Sequence, residues 1–246
     1  MILSKKNEKT KLSILIPAYN EEKTIGQVLT NVLSVKTHKL EKEIIVIDDG
    51  SSDGTANIVE KFASREKNIL LFKHDINSGK GAAVQTGIKK AKGDIILIQD
   101  ADLEYDPNDI PRLILPIVKK DTSVVYGTRL KMKPVFFGKN KTPFLLHFFG
   151  NKFLSLITSI LYGATVSDME TGYKVFETRA LRGIILKAKS FDFEPEITAK
   201  LLKKGFKIHE LNITTKPRGY DEGKKIHTFK DGSKALWTLL KYRVMD

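Results

Sequence analysis

Five short runs of β-branched and aliphatic residues, at 12–16, 43–47, 69–73, 94–99 and 123–128, alternate with longer amphipathic stretches through the first half of the chain. Runs this short and this apolar read as strands buried on both faces, and the stretches between them, 22–35, 55–64, 79–91 and 107–119, have the length and period of crossover helices. The alternation predicts an α/β fold, a mostly parallel sheet flanked by helices. Pro107 suits the first turn of its helix, where a fixed φ helps and a missing N–H costs nothing. The second half is less regular: a basic loop at 131–141, an apolar stretch at 144–162, a short strand at 175–176, a helix near 194–204, a strand near 207–213 and a last helix near 234–242. With 246 residues, 41% of them hydrophobic, there is enough chain for one well-buried domain, and residues 1–246 are read as that domain.

In such sheets ligands bind beyond the carboxyl ends of the strands, so the residues that follow each strand carry the functional expectation. The first strand runs into Pro17-Ala18-Tyr19-Asn20-Glu21-Glu22, the second into Asp48-Asp49-Gly50-Ser51-Ser52-Asp53-Gly54, the fourth into Asp100-Ala101-Asp102-Leu103-Glu104 and the fifth into Arg129. In an extended segment Asp100 and Asp102 point the same way, which lets two carboxylates meet one hard divalent cation, with Glu104 one step further. The same residues also make a solvated acidic turn capping the helix at Pro107. Asp48, at a strand tip, is placed to accept hydrogen bonds from a base or ribose, and Tyr19, Asn20 and Glu21 face the same crevice. Asp53 or Thr55 serves as a helix cap.

Gly79-Lys80-Gly81 fails the phosphate-loop pattern, because Gly81 stands where Ser or Thr is needed. It reads as a helix entry that allows close packing, with Lys80 and Asn77 near any ligand. No histidine pair has metal-ligand spacing, and His74, His147 and His227 read as surface or packing residues. In the second half, Asp168, in Ser167-Asp168-Met169-Glu170-Thr171-Gly172-Tyr173-Lys174, is a base or an orienting group in a capped turn. The basic, glycine-containing loop around Lys216-Pro217-Arg218-Gly219-Tyr220 and Lys224-Lys225 suits a flap over phosphates.

Zero cysteines exclude thiol catalysis and disulfides, and 42 Lys plus Arg against 29 Asp plus Glu give a net charge of +13, which favours anionic partners. The surplus lies in the second half: residues 119–141 hold seven basic and one acidic residue, whereas 94–109 hold six acids and no base. The N-terminus lacks the pattern of a secretory signal, so a cytoplasmic location is expected. The longest uncharged run, 153–167, is shorter than the ~18 apolar residues a spanning helix needs, yet the 144–162 stretch is apolar enough to lie in a bilayer interface or to form a buried helix.

Taken in order, these motifs resemble the family 2 glycosyltransferases of GT-A fold, and more closely the branch of dolichyl-phosphate mannose synthases and bacterial polyprenyl-phosphate glycosyltransferases. The resemblance implies a nucleotide-sugar-binding half at 12–130 and an acceptor- and membrane-facing half at 131–246. It implies that Pro17, Tyr19, Glu21, Val46 and Asp48 bind the nucleotide, with Asp100, Ala101 and Asp102 at the donor diphosphate. Asp100, Asp102 and Glu104 would hold Mg2+ or Mn2+, while Arg129, Arg218 and Lys224 grip phosphate. A further arginine expected before the interfacial helix is absent, with Lys139, Lys141 or Lys152 as substitutes. The implied activity is metal-dependent inverting transfer of a hexosyl group from GDP-mannose or UDP-glucose to a polyprenyl (dolichyl or undecaprenyl) phosphate, by a peripheral protein at the cytoplasmic membrane face. A sugar-hydroxyl acceptor, with Asp168 as base, is the enzymatic alternative. A nucleic-acid-binding protein rests on charge alone, and the acidic triad with the basic flap argues against a degenerate nucleotide-sugar-binding subunit.

Overall fold

The computed structural model describes residues 10–130, 145–216 and 228–245. Their elements run β1 (Lys11–Ala18), α1 (Ile25–Ser34), β2 (Glu41–Asp48), α2 (Thr55–Ala63), β3 (Ile69–Lys73), α3 (Lys80–Lys90), β4 (Ile95–Ile98), α4 (Ile110–Val118) and β5 (Val124–Thr128). Then follow α5 (Leu145–Tyr162), β6 (Lys174–Glu177), α6 (Phe193–Lys203), β7 (His209–Asn212) and α7 (Thr228–Val244). The strands form one sheet in the order β3-β2-β1-β4-β6-β5-β7. All neighbours pair in parallel except β6, which is antiparallel to both β4 and β5. This is the mostly parallel α/β sheet expected from the strand–helix alternation, and it agrees with the GT-A fold that the resemblance implies.

Side chains alternate across a strand, and the two sets build separate cores. Leu12, Ile14 and Ile16 of β1 meet Ile44, Val46, Ile95 and Leu97 under α1 and α4, through Val28, Leu29, Leu113 and Ile114. Leu15, Ile45, Ile47, Ile96 and Ile98 pack on the other face under α3 and α6, through Val84, Phe193 and Ile197. A smaller cluster, Leu154, Met169, Ala235 and Leu239, joins α5 to α7. Truncating a central strand residue such as Ile14 to Ala costs about 2–5 kcal/mol at such a site.

Three local expectations shift. α1 starts at Ile25, because residues 20–24 are used to tie two loops together: Ser52 N donates to Asn20 Oδ1 (2.8 Å), Asn20 N donates to Ser51 Oγ (2.9 Å) and Glu21 N donates to Thr55 Oγ1 (2.8 Å). Pro107 opens a 3-10 turn, Pro107–Asp109, that leads into α4, with Asp106 capping it. The antiparallel direction of β6 puts its beginning, not its end, at the carboxyl edge of its parallel neighbours, so residues 168–172 lie at that edge.

Candidate active site

Strand β1 is flanked by β2 on one side and β4 on the other, so its crossover leaves one way and the chain returns on the other. A cleft of about 480 Å3 opens beyond those strand ends, lined by Pro17, Ala18, Tyr19, Glu21, Asp49, Asp100, Ala101, Asp102, Glu104 and Arg129 among others. Most of the residues expected at the donor thus share one cavity.

Two expected nucleotide contacts do not fit as side chains in this cleft. Val46 is fully buried in the core between β1 and β3, two residues short of the strand end, and its side chain belongs to the apolar cluster there. Asn20 is taken up by the loop bonds described above. Asp48 is 3% exposed and its Oδ1 has no hydrogen-bond partner, while Ala18, opposite it in register, lines the cleft. A buried carboxylate oxygen without a partner is costly unless a ligand or water supplies a donor. Its neighbour Asp49 is structural, since its carboxylate accepts from Ser78 N (3.0 Å), Gly79 N (2.7 Å) and the His74 ring (2.6 Å), fixing the loop before α3. Gly79 has φ +95°, and a Cβ there or at Gly81 would collide with the backbone of residues 188–190, as expected of a closely packed helix entry.

The acidic segment is a turn rather than an extended strand. Leu103 has φ 62° and Asp102 Oδ1 accepts from Glu104 N (3.1 Å). Asp100 Oδ1 is paired with Lys80 Nζ at 2.9 Å, and the same ammonium reaches Glu194 Oε1 at 3.0 Å. Consequently Asp100, Asp102 and Glu104 line the cleft but do not form a preassembled three-carboxylate cage, and no group of three potential metal ligands is found among the described residues. The donor set still fits Mg2+ or Mn2+, which are held by one or two carboxylates with substrate phosphates completing the shell.

Arg129 lies at the far side of the cleft, locked by Asp168. The Asp168 carboxylate accepts from Arg129 Nε (2.8 Å), Nη2 (2.8 Å) and backbone N (2.9 Å), and its residue is wholly buried. Burial opposes the arginine's charge, but Asp168 and then Tyr105 outweigh it and hold the guanidinium well above its ordinary pKa. Asp168 therefore orients a cation; with both oxygens engaged and no surface, it is not poised as the base that a hydroxyl acceptor would need. Arg218 and Lys224, with Lys139, Lys141 and His227, lie outside the described residues. Lys152 is on α5.

Sequence reasoning missed a group of charges on the cleft floor. Glu170 and Glu194 line the cleft, at the segment before β6 and in the first turn of α6. Burial, then the charge of Glu194, pushes the Glu170 carboxyl well above the usual range. For Lys80, burial is outweighed by Asp100 and Glu194, which keep it charged far into alkaline pH. Lys174 is fully buried and its amine donates to the carbonyls of Met169 (3.1 Å) and Thr171. Gly172 permits this crowding, since a Cβ there would strike Asp100 Oδ2. His147, expected as a surface or packing residue, lines the cleft from α5, and Asp231 lines it from α7.

Residues 13–183 match the family described as Glycosyl transferase family 2. The chain belongs to that family. It is 34% identical over 219 residues to a UDP-N-acetylglucosamine–dolichyl-phosphate N-acetylglucosaminyltransferase of Methanococcus voltae, covering 82% of this chain and 84% of that one. It is 30% identical over 220 residues to the dolichyl-phosphate beta-glucosyltransferase ALG5A of Trichomonas vaginalis, covering 82% and 64%. The fold is shared with glucosyl-3-phosphoglycerate synthase from Mycobacterium tuberculosis, with TM-score 0.72 and 20% identity over 96% of this chain and 81% of that one. That enzyme has also been solved with Mn2+, UDP and phosphoglyceric acid. This family 2 member is a glycosyltransferase.

Proposed function

We propose that this glycosyltransferase moves a hexosyl group, with inversion, from a nucleoside diphosphate sugar to the phosphate of a polyprenyl phosphate at the cytoplasmic face of a membrane. The observation that carries the choice of acceptor is the exposed apolar face of the two helices, α5 and α7, that each lend a residue to the cleft. On α5, Phe149, Phe153, Leu156 and Ile160 recur at helical spacing and are each more than half exposed. On α7, packed against α5 through Leu154 and Leu239, Trp237 and Val244 are also more than half exposed, with Leu240 between them. The two helices that contribute His147 and Asp231 to the cleft are thus the two that present apolar side chains outward. Such a face fits a bilayer interface, and the basic surplus fits an anionic leaflet. No helix among the described residues is long and apolar enough to cross a membrane. Two dolichyl-phosphate transferases among the relatives support the same acceptor.

The chemistry needs little acid–base help. A phosphate monoester is already anionic, so its oxygen attacks the sugar C1 directly; the bond from C1 to the diphosphate oxygen breaks and the nucleoside diphosphate leaves. What this nucleophile needs is positioning against a negatively charged donor. Arg129, held rigid by Asp168, places cationic N–H donors at the cleft for the acceptor phosphate, and Arg218 and Lys224 are proposed to join it. Asp102, with Asp100 and Glu104 beside it, would hold a divalent ion, whose charge would stabilise the departing diphosphate. Tyr19 and Glu21 line the donor end, where the relative named for UDP-N-acetylglucosamine makes a uridine nucleotide the first to try.

The test is incubation of purified protein with radiolabelled UDP-glucose, UDP-N-acetylglucosamine or GDP-mannose, a short polyprenyl phosphate and Mn2+ or Mg2+, followed by organic extraction. EDTA-sensitive label in the organic phase, absent with Asp102→Asn, is expected. Tight nucleotide binding with no lipid product from any donor would overturn the lipid-phosphate acceptor.

A further inference from the structure

Two carboxylates on the cleft floor are used by nothing in the mechanism above. Glu194 is 4% exposed and lines the cleft; its Oε1 meets Lys80, but its Oε2 is buried without a hydrogen-bond partner. Glu170 lines the same cleft, and its Oε1 is likewise buried without a partner. Buried acceptors left open in a cavity cost stability, and their persistence points to a ligand that brings donors. Its chemistry is constrained from three sides. A phosphate would meet the carboxylates of Asp100 and Glu194, whose two charges the single Lys80 ammonium does not cancel. A cation would find no set of three ligands among the described residues, and the Lys80 ammonium already bridges Asp100 and Glu194. A neutral group carrying several hydroxyls satisfies both open oxygens without either conflict.

We propose that Glu170 and Glu194 form the wall of the donor site that reads the hydroxyl groups of the hexosyl unit. This inference rests on the reading of the cleft as a nucleoside diphosphate sugar site. It assigns the transferred sugar to the floor between the acidic turn and Arg129, with sugar hydroxyls donating to Glu194 Oε2 and Glu170 Oε1. A donor lacking the hydroxyl that meets either carboxylate is bound more weakly, since it leaves that acceptor buried and unpaired; hydrogen bonds of this kind discriminate by roughly tenfold or more.

The experiment is calorimetric titration, with Mn2+ present, of wild type, Glu170→Ala and Glu194→Gln with UDP, UDP-glucose and its monodeoxy analogues, and in parallel with GDP, GDP-mannose and its analogues. Wild type is expected to lose about tenfold in affinity for at least one deoxy donor. Glu170→Ala should erase one such penalty while binding the bare nucleoside diphosphate as wild type does. Glu194→Gln keeps an acceptor oxygen and should retain part of its penalty. Because Glu170 Oε1 makes no hydrogen bond, Glu170→Gln, which keeps the side-chain volume, is also expected to melt no lower than wild type; a purely structural role for the carboxyl would lower its melting temperature. The readout is binding, so a proton-transfer role for Glu170 would leave it unmoved. Sugar nucleotide binding with no difference between deoxy donors and variants would overturn the inference alone. Failure of wild type to bind any of the nucleotides would overturn the donor reading beneath it.

Discussion

Asp168 is where a motif residue changes its role once its surroundings are known. Beside a turn glycine it reads equally as base or orienting group; three hydrogen bonds from Arg129 and complete burial decide for the second. Asp168→Asn keeps the shape but removes the charge that fixes the guanidinium. It should raise the apparent KM for polyprenyl phosphate about tenfold or more while leaving donor hydrolysis within a few-fold, as measured by parallel transfer and hydrolysis assays. Stability should fall by about 2 kcal/mol in chemical denaturation, less than for a fully enclosed pair because Arg129 retains some solvent contact. Glu170 makes an opposite prediction. Its folded-state pKa lies above the 4.5 of an unfolded chain, so above that pH the unfolded state gives up its proton first and is favoured. Folding stability is lost as pH rises from 4.5 until the buried carboxyl itself ionises, and the loss is constant beyond. Glu170→Gln removes this cost, so its melting-temperature gain over wild type should be small near pH 4 and grow through neutral pH in scanning calorimetry. A gain independent of pH would exclude ionisation as its source. Spacing located Asp100, Asp102 and Arg129; Glu194 was legible only as a helix start, because nothing local tells that α6 aims its first turn at residues from β4.

At the scale of elements, the strand–helix alternation of the first half was readable because each strand is buried on both faces and each helix has one apolar face. Legibility failed where a residue's meaning depends on direction. The strand at 174–177 is visible as a short apolar run, but its antiparallel course, which carries Glu170 and Gly172 into the cleft, follows from the return path of the chain and leaves no periodic trace. The apolar stretch at 144–162 was ambiguous between core and interface; in α5 Leu154 and Thr158 face inward, while Phe149, Phe153, Leu156 and Ile160 are exposed. The outward face of α7, with Trp237 and Val244, had no such signal, since its polar residues dilute it. Burying half of one such large side chain in a bilayer contributes about 1 kcal/mol. Replacing Phe153 and Trp237 together by Glu should therefore weaken sedimentation with phosphatidylglycerol-containing vesicles by roughly 30-fold through lost burial alone, and further through the added charge repulsion. Transfer to a short, water-soluble polyprenyl phosphate should stay close to wild type. Equal loss in both assays would mean that the two side chains support the cleft rather than a membrane.

For the whole molecule, the net charge of +13 is divided along the chain: residues 94–109 hold six acids and no base, whereas the surplus of bases lies in the second half. The arrangement suits a protein that binds an anionic surface with one part while holding a divalent ion with another. Charge alone left nucleic acid open, and the structure shows why it is a poor guide: Lys80, Lys174 and Arg129 are committed to internal carboxylates and carbonyls, so part of the basic count never reaches a long-range field. The remainder acts at a distance and is screened by salt, whereas the apolar stripes are not. Vesicle affinity should accordingly fall about tenfold or more between roughly 50 and 500 mM salt on anionic lipid, and change little on neutral phosphatidylcholine, where only the apolar contribution remains. Once vesicles are saturating, turnover of polyprenyl phosphate embedded in them should depend only weakly on salt, because Arg129 is positioned by a buried carboxylate that ions do not reach. A turnover that declined in step with vesicle affinity even at saturation would place the salt-sensitive charges in the cleft and would separate this enzyme's catalysis from its docking less cleanly than α5 and α7 suggest.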